Sequence, residues 1–192
     1  KMNPVNIIYD KTITVEAPAT VANLVCGFDI LGMALNDPFD IMQMRLSKEP
    51  GIRITHTDGY DLPSDPAQNV AGAALLDLLH ALDIPLGIEL SITKQIKPGS
   101  GLGSSAASSA GAVVAANHLL GNPFSKEDLV RFAMAGEKVA SGVKHAVHPW
   151  WRYPDPVYLP FGYCSIVGAS NVCNCCASAD RSAYIRCTPD LT

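Results

Sequence analysis

The sequence has no surplus of basic residues. Fourteen Lys and Arg stand against 18 Asp and Glu, a net charge of −4, so the charge balance gives no means of recruiting nucleic acid or an anionic membrane. No apolar run approaches the roughly 20 residues that span a bilayer. Residues 1–11 contain no apolar core of a secretory signal, so a cytoplasmic location is expected. Cysteine is almost missing from the first 146 residues, where Cys26 stands alone; Cys164, Cys173, Cys175, Cys176 and Cys187 all come later, as do both tryptophans, Trp150 and Trp151. Disulfides are not expected in such a location, and the C-x-C-C spacing around Cys175 fits no common zinc knuckle. What the chain does have is 48% hydrophobic and 17% charged residues over 192 positions, a globular composition for one domain, or one domain and a fragment. Its character changes near His145.

Periodicity gives an order of elements. Strands are expected over 13–17, leading into Pro18, then over 39–46, 51–57 and 87–96, from alternating and β-branched residues. Residues 70–82, with Leu75, Leu76, Leu78, Leu79 and Leu82, have helical spacing and length. An alanine-rich helix is expected over 104–120, closed by Gly121-Asn122-Pro123. Ser125 is a credible N-cap for a third helix, with Asp128 three residues on as in a capping box. Strands clustered early and helices interspersed in this way indicate an α+β fold.

The most informative segment is Pro98-Gly99-Ser100-Gly101-Leu102-Gly103-Ser104-Ser105-Ala106-Ala107. Three glycines in five residues permit positive φ and let backbone N–H groups approach a ligand. The turn opens straight into a helix N-terminus, whose unpaired N–H groups and positive dipole end suit a phosphate. Ser104 and Ser105 can add hydroxyl contacts to phosphate oxygens or to Mg²⁺. The plainer reading is a strand–turn–helix in which small residues only permit close packing. The string is neither the Walker pattern, which ends in Lys-Ser/Thr, nor the dinucleotide pattern GxGxxG.

As a whole, the string resembles the phosphate-binding motif of the GHMP kinases, and its continuation Ser108-Ser109-Ala110-Gly111 resembles the homoserine kinase branch. Three other segments are similar to that family in the same order. Ala17 to Asp29 resembles the first motif, which lies beside the amino-acid substrate; Asn23 and Asp29 offer an amide and a carboxylate suited to an ammonium and a hydroxyl, or serve ordinary turn chemistry. Cys26 departs from the family's usual small residue there. Asp65 to Gly72 resembles the segment entering the helix near the adenine, where Asn69 can bond a base edge or cap the helix, two compatible roles. Glu137 matches the family's magnesium-binding glutamate, the alternative being an exposed charge paired with Lys138 or Lys144; His145 resembles a substrate-site histidine.

The resemblance covers residues 11–146. It implies an α+β domain like the second domain of ribosomal protein S5, with a left-handed βαβ crossover. It also implies transfer of the ATP γ-phosphoryl group to the hydroxyl of L-homoserine, with ATP and Mg²⁺ as cofactors, for threonine biosynthesis. In that frame Ser104 and Glu137 act catalytically by holding Mg²⁺. Asn69 and residues Pro98 to Ala107 bind ATP, and Asn23, Asp29 and His145 bind substrate, with no dedicated base. The alternatives are a family member acting on another small alcohol such as mevalonate, and a non-catalytic fragment that binds nucleotide weakly. A homodimer is a further expectation for an intact family member.

After Ala146 the family would continue Asp-Asn-Val-Ala-Pro and a glycine pair; the chain reads Val147-His148-Pro149-Trp150-Trp151. Tryptophan has a single codon, so Trp150-Trp151 before Arg152, read one nucleotide later, encodes Gly-Gly. The codons permitted over 150–166 and 171–188 can spell further family-like sequence in the same frame. The expectation is therefore a GHMP N-terminal ATP-binding domain over 1–146, an out-of-frame and irregular tail over 147–192, and no C-terminal GHMP domain. A chain of this kind is expected to be inactive.

Overall fold

The computed structural model describes residues 4–9, 11–22, 32–141, 166–167, 172–173 and 185–186. Four strands make one sheet: β1 (Thr12–Ala22), β2 (Gly32–Ser47), β3 (Gly51–His56) and β4 (Gly87–Thr93), in the order β1-β2-β4-β3. β2 runs antiparallel to both β1 and β4, while β3 and β4 are parallel and joined through helix α1 (Val70–Leu82). Helices α2 (Ser104–Leu119) and α3 (Lys126–Ser141) follow. Three two-residue strands, β5 (Ile166–Val167), β6 (Val172–Cys173) and β7 (Ile185–Arg186), form a second sheet in the order β6-β5-β7. The rest of 147–192, where an irregular tail is expected, lies outside the described residues.

Alternation along the strands puts every second side chain on one face. Ile13 lies opposite Met44, Met44 opposite Leu90, and Leu90 opposite Ile54, so one apolar row crosses all four strands. All four are buried, each contributing about 1.5–3 kcal/mol through burial. The other face carries Gln43, Arg45, Arg53 and Glu89, with Glu89 ion-paired to both arginines. The helices pack on the apolar face: α2 lies against β1 and β2, with α1 and α3 beside it. Thirteen of the sixteen residues of α2 are buried, which only small side chains allow in so central a helix. At Gly111 an added Cβ would meet the Met42 methyl and crowd Ala17 Cβ at 3.2 Å, so glycine accommodates the close approach of α2 to the sheet.

The element boundaries depart from expectation in three places. β1 continues past Pro18, with its register to β2 shifting between Pro18 and Thr20. Proline donates no hydrogen bond, so the ladder is interrupted there and resumes beyond it. β2 begins at Gly32 rather than at 39, because it pairs with that second half of β1. β4 stops at Thr93 rather than 96, because the N–H groups of Gln95 and Ile96 go to the Asp40 carboxylate, each at 2.9 Å.

Helix α1 has the expected limits, capped by Asn69 and ended by Asp83 in the left-handed region. The expected capping box of α3 is present: Asp128 N–H donates to Ser125 Oγ at 3.2 Å, and Ser125 N–H donates to Asp128 Oδ2 at 3.3 Å. Ser125→Ala is expected to lower unfolding free energy by about 1 kcal/mol, read as a shift of the urea midpoint at constant m-value.

Candidate functional site

The glycine turn leaves β4 and enters α2 over 97–103. Ser100 N–H donates to Lys97 O at 3.2 Å, and Thr20 N–H donates to Leu102 O at 3.0 Å, strapping the turn to β1. Gly99, Gly101 and Gly103 have φ of +75°, +78° and +66°, a region that side-chain-bearing residues rarely enter. Nothing lies within 4 Å of where a Cβ would stand on Gly99 or Gly101, whereas at Gly103 it would strike Thr20 Oγ1. The turn is thus open at its crest and tight at its base. Gly103 caps α2 without a side-chain bond, which leaves the first-turn N–H groups for a ligand.

The carboxylate facing this turn comes from α3. Glu137 is half-buried, and its Oε2 accepts a hydrogen bond from Ser105 Oγ at 3.1 Å. Its Oε1 is buried with no hydrogen-bond partner among the described residues. Burial pushes the carboxyl above its ordinary range, opposed by the Ser105 hydroxyl and the Lys94 ammonium. An orphaned carboxylate oxygen beside a hydroxyl is a hard-oxygen donor set that fits Mg²⁺. Among the described residues no group of three or more His, Cys, Asp or Glu is placed to hold a metal ion. The donors present therefore suit an ion that takes most of its ligands from phosphate and water. Gly136 lets α3 approach this closely, since a Cβ there would meet Val70 O and Ser109 Oγ.

Two expected roles change. The sequence paired Ser104 with Glu137, but Ser104 Oγ is turned inward and donates to Ile96 O at 3.0 Å; the hydroxyl on Glu137 is that of Ser105. Neighbouring residues at a helix start point about 100° apart, so only one of the two serines can face α3. Asn69 is wholly occupied with structure. Its Oδ1 accepts from Ala71 and Gly72 N–H at 2.9 and 3.2 Å, and its Nδ2 reaches Pro63 O at 2.7 Å and His56 Nε2 at 3.1 Å. Asn69 is therefore a cap, with its side-chain groups engaged within the domain. Asn23, Asp29 and His145 lie outside the described residues.

Sequence reasoning missed Asp40 and Lys94, which lie beneath the turn. Asp40 is fully buried and pairs with Lys94 Nζ, which also donates to Ser104 O at 2.8 Å and Ser108 Oγ at 2.9 Å. Burial pushes the Lys94 ammonium down from its ordinary range, while Asp40, Asp58 and Glu137 hold it up. The signal was available: Met42, Met44 and Leu46 face inward, as do Ile88, Leu90 and Ile92. The same parity puts a charge at 40 and at 94 on the buried face.

The α+β layer thus brings a glycine turn, an open helix start and a facing carboxylate together, an arrangement suited to a phosphotransferase domain. Residues 69–148 match the GHMP kinases N terminal domain, and the α+β fold of the described residues is that of such a domain. Within that superfamily the chain is homoserine kinase-like. It is 47% identical over 134 residues to homoserine kinase of Natronomonas pharaonis, covering 70% of this chain and 44% of that protein. It is 44% identical to homoserine kinase of Methanococcus vannielii, covering 71% and 46%. The crystal structure of homoserine kinase from Cytophaga hutchinsonii superposes with a TM-score of 0.66 at 46% identity, covering 73% of this chain and 46% of that one. The chain thus spans a little under half the length of the relatives it matches. Among the described residues no helix is long and apolar enough to cross a membrane.

Proposed function

We propose that this domain provides the ATP-phosphate and Mg²⁺ half of a homoserine kinase site. The observation that carries the reading is the unpartnered Oε1 of Glu137, whose Oε2 is held by Ser105 at the open end of α2 beside the glycine turn. The turn N–H groups of 99–103 and the first turn of α2 receive phosphate oxygens, and the helix dipole favours their charge. Glu137 and Ser105 hold Mg²⁺, which when bound neutralises charge on the phosphates during transfer. Asn23, Asp29 and His145 are proposed to orient L-homoserine, on the strength of their place in the family motifs. Transfer to the homoserine hydroxyl then depends on positioning and charge rather than on a strong base.

We propose that these 192 residues, tested on their own, bind nucleotide without turning it over. The out-of-frame reading of 147–192 is part of this proposal, and sequencing the gene across the codons for Lys144 to Trp151 tests it directly. Function is tested by calorimetric titration of Mg–ATP into the 192-residue chain, with ADP release followed in parallel with L-homoserine and with mevalonate. Binding without ADP release is expected. Absence of binding would sink the nucleotide reading, and ADP release with L-homoserine would overturn the proposed inactivity. Release with mevalonate in its place would reassign the substrate.

A further inference from the structure

Both ends of the phosphate turn are tied to one buried carboxylate. At the entrance, Asp40 Oδ1 accepts the N–H groups of Gln95 and Ile96, each at 2.9 Å. At the exit, the ammonium of Lys94, paired with Asp40 Oδ2, donates to the carbonyl of Ser104, the first residue of α2, at 2.8 Å, and to Ser108 Oγ one turn on at 2.9 Å. Ser104 Oγ closes the ring by donating to Ile96 O at 3.0 Å. Residues 97–103 span the gap between these anchors, and their crest at Gly99 and Gly101 has no neighbours to hold it. The width of the turn is therefore set from below.

An ammonium with three N–H groups and three acceptors leaves no donor free, and Asp40 Oδ1 is likewise saturated by two backbone donors. The side chains of Asp40 and Lys94 are 0% and 3% exposed, so neither reaches a ligand directly. Buried ion pairs seldom stabilise a fold more than apolar residues of the same volume. This pair instead ties three separate elements, β2, the end of β4 and α2, around one point. A turn that must present several N–H groups to one anion gains affinity when its geometry is set before the anion arrives.

We infer that Asp40 and Lys94 are positioning residues for phosphate: together they hold Ile96 and Ser104 at a fixed separation, so that the turn and the start of α2 face one anion in common. The inference rests on the phosphate reading above and adds to it two residues that touch no ligand.

The test uses the whole chain with the double substitution Asp40→Asn and Lys94→Met. It removes the tie to Ser104 without stranding a buried charge, and the amide oxygen can still accept from Gln95 and Ile96. Two ligands are titrated, inorganic triphosphate and adenosine. Amide hydrogen exchange is followed without ligand at 107–108 and, for comparison, at 113–116 in the same helix. Triphosphate is expected to bind at least about tenfold more weakly with adenosine within about twofold of the parent, as loss of preorganisation requires. Exchange should accelerate at 107–108 and stay unchanged at 113–116. Unchanged triphosphate affinity would overturn the inference, as would an equal loss for both ligands, which marks a general structural defect. If the parent chain fails to bind triphosphate while exchange at 107–108 still responds, the phosphate reading itself has failed and the inference falls with it. Should the double variant not fold, Ser108→Ala removes one acceptor and keeps the ion pair. A smaller, triphosphate-selective loss is expected there, and no loss would overturn the inference.

Discussion

Glu137→Gln is expected to abolish the contribution of Mg²⁺ to nucleotide binding while making the ligand-free domain more stable. Both effects follow from one geometry. The carboxylate is half-buried, one oxygen is bonded to Ser105 Oγ at 3.1 Å, and the other is buried without a partner. Burial has raised its pKa above the ordinary 4.5, so the folded state holds the proton more tightly than the unfolded chain does. Between 4.5 and the folded value the native state binds more protons, and stability falls as pH rises through that window. Glutamine keeps the shape and the acceptor for Ser105, and removes the charge that burial penalises. The melting-temperature difference between variant and parent should therefore widen as pH rises from 4.5, and close again when Mg²⁺ and ATP are added to the parent. Loss of a residue that merely supports a ligand already costs roughly 10–100-fold in metal affinity. Loss of the ligand itself should cost no less. Calorimetric titration of Mg–ATP into both proteins, with thermal melts from acid to neutral pH, reads both effects.

The second large effect is expected at Gly103. Its φ of +66° is strained for any residue with a Cβ, a cost of about 1–2 kcal/mol. A Cβ there would also strike Thr20 Oγ1 on β1, and overpacking of this kind adds about 1–3 kcal/mol. Gly103→Ala should therefore destabilise by at least about 2 kcal/mol and weaken triphosphate binding, because relief of the clash moves the start of α2. Gly101→Ala is the control: φ is +78°, but nothing lies within 4 Å of the added atom, so only the conformational cost is expected. Combining Gly103→Ala with Thr20→Ala should recover the part due to the clash and leave the part due to φ. Urea denaturation of the four variants checks this, and simple additivity of Gly103→Ala and Thr20→Ala would show that the two residues do not collide.

Much of this architecture could be read from residue pattern. Residue pattern at 13–17 and 39–46 marked strands, Leu75, Leu78 and Leu82 marked a helix face, and Ser125 with Asp128 marked a helix start. What pattern missed were places where a side chain replaces backbone pairing. Asp40 ends β4 early by taking two of its N–H groups, an event of tertiary structure with no local sequence signal at 95 or 96. The same applies to Ser104 and Ser105. Their types make both plausible ligands, and only the rotation of α2 against α3 decides that Ser105 meets Glu137. Asn69 is the opposite case for its Oδ1, whose two bonds are those of a local cap, while its Nδ2 bonds to Pro63 O and His56 Nε2 are tertiary. Parity along β2 and β4 did carry the buried pair Asp40 and Lys94, because a charge in an inward slot has to find a partner or disrupt the core.

The central claim is that phosphate and Mg²⁺ meet at the start of α2, between the glycine turn and Glu137. The most direct measurement is a two-dimensional amide NMR titration of the 192-residue chain with ATP, first without and then with Mg²⁺. The account predicts shifts concentrated over 99–107, with Glu137 and its neighbours responding only when Mg²⁺ is added. Shifts spread over the outer face of the sheet, or an unchanged spectrum at millimolar Mg–ATP, would contradict it.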